Sequence, residues 1–372
     1  MARDSFMDLA RRLAERGRYT VAPNPLVGAV VARDGVAISE CWHARAGGDH
    51  AEIGALRSAG EAARGATMYT TLEPCNHHGR TPPCTEAILR SGIARVVIGH
   101  LDPNPRMRGK SVEILRGAGV EVEVLDDPSF ERQNEQFMHF MRTRRPFVHL
   151  KLATTLDGRI AAAGGDSRWV SGEAARLRAH QLRAEAGAVL VGANTVRTDD
   201  PLLTARGLPE KPPRLTRVVL DPSLTTARDS QLARTASAAP VLVFAEERSM
   251  DGREAELEAL GVEVVAAPRS AEGLDLAYAL RELGRRDIRG VLVEGGGETA
   301  TRFVGQGLAD KLTLFYAPKL VGSEGVPMIG ALRVTKMAEA LRFSVSKVEA
   351  LGEDVAVTLY PTREEDHVHR AG

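Results

Sequence analysis

The chain has 372 residues, 49 basic and 49 acidic side chains, a formal net charge of +0 and three cysteines. At ~100–200 residues per domain this length predicts two or three domains, with chain enough in each for its own core. The charge balance leaves no electrostatic footprint for nucleic acid, three cysteines are no disulfide framework, and no apolar run approaches the ~20 residues a membrane helix needs.

The opening "MARDSFMDLARRLAERG" has the pattern of an amphipathic helix over 4–16 and no apolar signal-peptide stretch, so a cytoplasmic protein is expected. Short β-branched runs then alternate with helical patterns. "LVGAVVA" (26–32), "ATMYTTLE" (66–73), "ARVVIGH" (94–100) and "VEVEVL" (120–125) read as strands. Helices are predicted over 50–64, 82–92, 109–118 and 127–142, and Gly92, Gly117 and Gly119 stand where helix stops often do. "TRRP" precedes a new apolar run, "FVHLKLATTL", which puts a domain boundary near Arg145. Beyond it the alternation restarts, with strands predicted at 188–193, 216–221, 240–245, 262–267, 290–297 and 311–322. Residues 199–214 read as a long loop, a kind of segment that often carries function. The expected division is 1–145, 146–362 and a polar tail, 363–372, with both domains α/β.

"EPCNHHGRTPPC", residues 73–84, holds two of the cysteines. A disulfide suits a reduced cytosol poorly. A closed structural zinc site usually takes four ligands in close pairs, whereas Cys75 and Cys84 are separated by a long loop and Cys41 lies far upstream. His50-Ala51-Glu52 opens a helical stretch just before the strand that leads to "EPC". That is the H-x-E…P-C-x-x-C pattern of zinc deaminases with a longer insert between the cysteines. His50, Cys75 and Cys84 as metal ligands leave one tetrahedral position for a water whose pKa the metal lowers. Glu52 can reach that water without ligating, as the carrier of its proton to the ring nitrogen and the leaving ammonia. His77 and His78 read as exposed loop residues or substrate contacts.

In the second half, "VEGGGET" (293–299) is a strand, a glycine cluster and a helix start. It is either a tight turn or a place where backbone N–H groups meet a phosphate, and it is no G-x-G-x-x-G fingerprint, which argues against a Rossmann fold. "LKLATTLDGRIA" puts Lys151 and Asp157 toward the end of an apolar strand, where α/β ligand sites tend to lie, although Lys151 alone reads equally as an edge-strand surface charge.

"PNPLVGAVV", "HAEIGAL", "TLEPCNHHGRTPPC" and "DPNP", followed by "LKLATTLDGRIA", "GDSRWVS", "VGANTVRTDDPLLTAR", "VLVEGGGETA" and "APKLVG", together resemble the bifunctional riboflavin-biosynthesis deaminase–reductase family over roughly residues 4–361. The resemblance implies a cytidine-deaminase-like α/β/α zinc domain followed by a dihydrofolate-reductase-like α/β domain. It implies Zn2+ and NADPH as cofactors, a small phosphoribosylaminopyrimidine substrate and a homo-oligomer, with no nucleic acid or membrane partner. The reactions implied are deamination of 2,5-diamino-6-(5-phosphoribosylamino)pyrimidin-4(3H)-one, then reduction of the ribosyl group to give 5-amino-6-(5-phosphoribitylamino)uracil. Asn24 and His43 are implied at the first substrate. Cofactor contacts are implied for Thr154, Trp169, Thr195, Asp199 and the run Gly295, Gly296, Gly297, Glu298, Thr299, Ala300, Thr301 and Arg302. Lys151, Asp157, Ser167, Arg183, Leu203, Arg206 and Glu294 are implied at the second substrate. Two arginines suit a sugar phosphate, though Arg183 in an Arg-rich helix also reads as solvated. Asp199 is additionally a candidate proton source.

The sequence departs from that family's pattern at three places. Cys41 stands where glycine is usual before the aromatic-His pair, here Trp42-His43. Gly54 stands where His or Asn is usual, and Ser111 replaces the second glycine after "DPNP". None of the three removes a metal ligand or Glu52. Two other classes remain to be weighed: a nucleic-acid base deaminase with an accessory domain, and a scaffold with structural zinc. Neutral charge opposes the first; Glu52 and only three evident ligands oppose the second.

Overall fold

The computed structural model describes residues 2–77, 83–105, 107–209, 212 and 214–362, so the tail 363–372 and His78 lie outside the described residues. Two compact units divide the chain, Met1–Arg144 and Arg145–Gly372. Among the described residues no helix is long and apolar enough to cross a membrane.

The first unit runs α1 (Ala2–Glu15), β1 (Gly28–Arg33), β2 (Val36–Trp42), α2 (Ala51–Ala59), β3 (Thr67–Leu72), α3 (Cys84–Ser91), β4 (Arg95–His100), α4 (Lys110–Gly117), β5 (Glu121–Val124), α5 (Pro128–Gln133) and α6 (Glu135–Thr143). Its sheet has the order β2-β1-β3-β4-β5; β1 is antiparallel to both neighbours, and β3, β4 and β5 are parallel. Strand alternation sends Ala29, Val31, Met68, Val96 and Ile98 to one face, under Ala51, Ala55, Ile88 and Leu115 of α2, α3 and α4. Val30 and Ala32 point to the other face, against Phe6, Ala10 and Leu13 of α1. Those α1 residues repeat at helical spacing, and burial of each larger one contributes roughly 1.5–3 kcal/mol. Gly28 lets α1 cross β1 closely: a Cβ there would lie 2.0 Å from the Ala10 carbonyl oxygen.

The second unit contains β6 (Phe147–Thr155), β7 (Arg159–Ala161), α7 (Glu173–Glu185), β8 (Ala188–Gly192), α8 (Ala193–Asp199), β9 (Thr216–Leu220), α9 (Gln231–Arg234), β10 (Val241–Ala245), α10 (Arg253–Glu258) and β11 (Val262–Ala266). After the short pair β12 (Arg269–Ser270) and β13 (Gly273–Leu274) come α11 (Leu276–Arg285), β14 (Gly290–Val293), α12 (Gly297–Gly305), β15 (Lys311–Ala317), β16 (Val326–Pro327), β17 (Phe343–Leu351) and β18 (Asp354–Pro361). Nine strands form one sheet in the order β11-β10-β9-β8-β14-β6-β15-β18-β17. The first seven are parallel; β18 and β17 close the sheet antiparallel. The parallel strands are covered on both faces and so read as continuous Val/Leu runs, such as Val218–Leu220 and Val241–Ala245. After β8 the chain steps outward through β9, β10 and β11, then returns to insert β14 between β8 and β6. Ligands in open α/β sheets bind at the carboxyl ends of strands beside such a reversal.

Several predicted elements end differently. The helix over 127–142 is two helices, broken at Asn134, whose side chain accepts from the Leu26 N–H (2.7 Å) and donates to the Leu26 carbonyl (2.9 Å). The strand over 290–297 stops at Val293, because Glu294 begins the turn into α12. The strand over 311–322 stops at Ala317. β2, β17 and β18 were not predicted; β17 is exposed along most of its length and mixes Lys and Glu with valines, which hides its period.

Candidate functional site

In the first unit the chemistry gathers at the ends of three elements. His50 is the N-cap of α2, Cys84 is the first residue of α3, and Cys75 lies in the segment after β3. His50 Nδ1 lies 3.2 Å from Cys84 Sγ and 3.5 Å from Cys75 Sγ, and the Cys84 N–H donates to Cys75 Sγ at 3.3 Å. All three ligand atoms lie within 4.8 Å of one another. A tetrahedron with Zn–N ≈ 2.0 Å and Zn–S ≈ 2.3 Å has an N–S edge of about 3.5 Å, so the donor set fits zinc in chemistry and in size. A hydrogen bond from Cys84 lowers the Cys75 thiol to about 4, and the same bond raises the Cys84 thiol. Bonding to Cys75 raises His50 to about 9. Donors this close share protons among themselves, and a metal binds by displacing them.

Glu52 sits in the first turn of α2, only 3% exposed. Burial, opposed by His50, pushes its carboxyl up to about 7; a dication beside it would pull that value back down. It does not belong to the ligand trio. His43 stands edge-on to His50 with ring centroids 5.6 Å apart. Its Nδ1–H donates to the Asp49 carbonyl (2.8 Å), which leaves Nε2 to accept from Asn24 Nδ2 (3.0 Å). Burial lowers the His43 pKa and favours this neutral form. The structure therefore brings Asn24, His43, His50, Glu52, Cys75 and Cys84 to one place; His77 is exposed.

Glu73, unassigned from the sequence, anchors the segment that carries Cys75. Its buried carboxylate accepts from the N–H groups of Asp102 (3.0 Å), Gly109 (2.9 Å) and Ser111 (3.1 Å). Ser111 adds a bond from its hydroxyl to the Pro74 carbonyl, 2.5 Å.

In the second unit, Glu294 follows β14 and receives Arg183 of α7 bidentately, 2.5 Å from Nε and 3.0 Å from Nη2. Lys151 Nζ lies 3.7 Å away. Burial alone would raise the Glu294 pKa, but Arg183 and Lys151 outweigh it and hold the carboxyl at about 2. Lys151 is on β6, an interior strand, and Arg183 is largely buried, so neither is a solvated surface charge. Two cations against one carboxylate leave net positive charge here. Arg183 also donates to the Thr204 carbonyl (3.1 Å), which ties the loop after α8 to the cluster. Arg206, further along that loop, is exposed, and its charge reaches His180 of α7.

Beside this cluster, α8 starts directly after β8, and α12 follows the neighbouring parallel strand β14 after three intervening residues. A Cβ on Gly192 or Gly295 would meet Thr299 at 2.8 or 2.7 Å, and one on Gly297 would meet the Pro327 carbonyl at 2.3 Å; one on Gly296 would meet nothing within 4 Å. Two adjacent helix N-termini, one of them capped by the open Gly296, fit a dinucleotide's phosphates. Thr195 lies in the first turn of α8, and Asp199 ends it. Glu298, Ala300 and Thr301 belong to α12, where Thr301 Oγ1 donates to the Gly297 carbonyl and accepts from the Gly330 N–H.

Other candidates are already engaged within the chain. Arg302 donates to the Leu274 carbonyl, and buried Thr154 donates to the Arg159 carbonyl. Asp157 accepts from Thr155 Oγ1 (2.6 Å) and the Gly322 N–H (2.7 Å), which lower it to about 2. The Leu203 side chain is packed in the core beside Val219 and Leu232, leaving its main chain for contacts. Ser167 is half-buried; Trp169 is exposed, with the Arg176 guanidinium 4.6 Å above its ring.

Residues 1–100 match the family model for the cytidine and deoxycytidylate deaminase zinc-binding region, and residues 146–357 match that for the RibD C-terminal domain. The riboflavin biosynthesis protein RibD of Aquifex aeolicus is 44% identical over 95% of this chain and 97% of its own length. The chain belongs to the RibD family. Among solved structures, Acinetobacter baumannii RibD (form 1) superposes with a TM-score of 0.89 at 38% identity, covering 97% of this chain and 99% of that one. A Thermotoga maritima protein titled a diaminohydroxyphosphoribosylaminopyrimidine deaminase/5-amino-6-(5-phosphoribosylamino)uracil reductase gives 0.84 at 38%, with the same coverage. As a RibD family member the chain is a bifunctional enzyme of riboflavin biosynthesis, a zinc-dependent deaminase and an NADPH-dependent reductase, with the expected deaminase-like and reductase α/β domains.

Two of the departures from the family pattern answer each other. A Cβ on Gly54 would lie 2.2 Å from Cys41 Sγ, so the side chain at 41 fills the space that one at 54 would need. Gly54→Ala alone should overpack the α2–β2 contact and cost about 1–3 kcal/mol. Adding Cys41→Gly should restore most of it. Urea midpoints of the four proteins in the cycle measure the coupling; additive losses would show that the two positions are independent.

Proposed function

We propose that the zinc site deaminates 2,5-diamino-6-(5-phosphoribosylamino)pyrimidin-4(3H)-one and that the second unit reduces the ribosyl group of the product to ribityl. The observation that carries this reading is the pairing of a three-donor metal site beside buried Glu52 with a cationic cluster next to paired helix N-termini. Zinc held by His50, Cys75 and Cys84 supplies Lewis-acid activation of water near neutral pH. Glu52 takes that water's proton and returns protons to the pyrimidine ring nitrogen and the departing ammonia. His43, held by the Asp49 carbonyl, fixes Asn24, whose remaining amide oxygen and N–H orient the ring by accepting and donating hydrogen bonds.

In the reductase, NADPH would supply a hydride to C1 of the sugar as the ring's C1–O4′ bond opens, and the freed O4′ takes a proton. The N-termini of α12 and α8 hold its phosphates through Gly295–Gly297 and Thr195, with Trp169 toward the nicotinamide. Lys151, Arg183 and Glu294 fix the sugar and pyrimidine, Ser167 and the Leu203 main chain add polar contacts, and Arg206 grips the 5-phosphate. Asp199 is the candidate to supply that proton.

Arg206→Ala removes a charge-assisted fork worth roughly 1.5–3 kcal/mol, about 10–150-fold in binding. The loss should appear in the reductase KM for the deaminated intermediate, with NADPH affinity and ammonia release nearly unchanged. Lysine should restore only part, for want of bidentate geometry. A collapse of NADPH binding with substrate affinity intact would move Arg206 to the cofactor's 2′-phosphate.

The protein acts in the cytoplasm as a homo-oligomer in this reading. Support comes from β17, an edge strand whose Val345 and Val348 are 61% and 62% exposed, with Met337 nearby in sequence at 88%; such edges invite pairing by a second copy. Sedimentation of the full chain beside Val348→Glu tests it, and a monomeric parent chain would refute it.

A further inference from the structure

Arg217, on β9, is 0% exposed and is the largest fully buried side chain among the described residues. Among those residues no carboxylate pairs with it, and burial lowers its pKa. Its guanidinium instead donates to the carbonyls of Thr235 (2.9 Å) and Ala239 (2.5 Å) and the Thr235 hydroxyl (2.7 Å), all just past α9, and to the Leu202 carbonyl (3.3 Å). The start of α9 holds the same loop. Asp200 Oδ1 accepts from the Gln231 N–H (2.7 Å), and Gln231 Nε2 donates to the Asp200 carbonyl.

The strapped segment is bent into an uncommon form. Asp200 and Leu203 have φ of 40° and 51°, the left-handed region that a leucine rarely enters. Such residues persist where their surroundings over-determine them, and they cluster at functional sites. The loop is also held on its other side: Arg168 donates to the Asp199 carbonyl (3.2 Å), and His180 and Arg183 donate to that of Thr204 (both 3.1 Å). Arg183 in turn grips Glu294.

The geometry points to Arg217 as a positioning residue of the reductase: from beneath the loop, with Gln231, it fixes the strained backbone of 200–203 so that the Leu203 main chain and Arg206 meet the substrate. This rests on the substrate reading of that loop. A buried ion without an acid partner is a costly way to fill a core, and its four acceptors explain the choice of arginine, whose planar fork reaches several carbonyls at once.

The test uses the full chain with Arg217→Lys and Gln231→Ala. The second variant removes only a half-buried side chain at the loop's other anchor, so it serves if the first fails to fold. Each should raise the reductase KM for the deaminated intermediate about 10-fold or more, as misplacement by about an ångström does. NADPH affinity, read by fluorescence titration, and ammonia release should stay unchanged. An unchanged KM in the variants that fold, or equal losses in kcat and NADPH binding, would overturn the proposal. Arg206→Ala is measured beside them. A raised KM there with no change in Arg217→Lys and Gln231→Ala refutes the positioning role alone. No change in Arg206→Ala removes the substrate reading of the loop, and the proposal with it.

Discussion

Glu52→Gln should keep its zinc and lose at least ~100-fold in ammonia release, the scale of a removed general acid–base group. Glu52 is outside the trio of donors, and its amide isostere keeps the volume of a side chain that is 3% exposed. What the amide cannot do is accept a proton from water and hand it on. Cys84→Ser should do the reverse and empty the site, because it removes a donor that lies 3.2 Å from His50 Nδ1. Metal analysis beside an ammonia assay separates the two. Zinc lost from Glu52→Gln, or turnover retained in it, would end the assignment of Glu52 as proton carrier. NADPH oxidation should be unchanged in both variants when the deaminated intermediate is supplied.

The metal site was legible because its signal is local. His50 and Glu52 share one helical turn, Cys75 follows a strand end, and Cys84 begins a helix. Short spacing therefore encodes their chemistry almost completely. The reductase cluster is different: Arg183 and Glu294 are 111 residues apart and meet only because β14 returns to lie beside β8. No periodicity in either segment carries that information, so their nomination rested on family resemblance. Residues that act on others were less visible still. Glu73 reads as part of a motif, yet its work is done on the backbone of 102–111. Arg217 was not singled out within the predicted strand 216–221, and only its four acceptors explain it. The Cys41–Gly54 exchange looked like two separate departures until their shared volume was seen. Conversely, Asp157 was nominated by its place at a strand end and by the resemblance, and Arg302 by the resemblance alone; the Asp157 carboxylate and Arg302 Nη2 already serve the fold.

Glu294→Gln should be the most damaging single change in the reductase unit. It leaves Lys151 and Arg183 buried side by side with no carboxylate between them, and breaking a buried pair this way costs about 3–5 kcal/mol. The same physics gives a pH dependence. The folded carboxyl is depressed from the ordinary 4.5 to about 2, so its stabilisation is complete above about pH 4.5 and is lost as pH falls toward 2. The full linkage is on the order of 3 kcal/mol, for a side chain 12% exposed. Calorimetry can follow the transition that NADPH shifts upward, which is that of the reductase unit. Its midpoint should drop in Glu294→Gln at pH 7, and the decline between pH 5 and 2 should be shallower than in the parent chain, because the group that titrates there is gone. Parallel declines would mean that Glu294 is not the carboxylate responsible. On the proposed substrate reading the KM should rise with the loss of stability, since Arg183 and Lys151, freed from Glu294, are no longer held in one geometry.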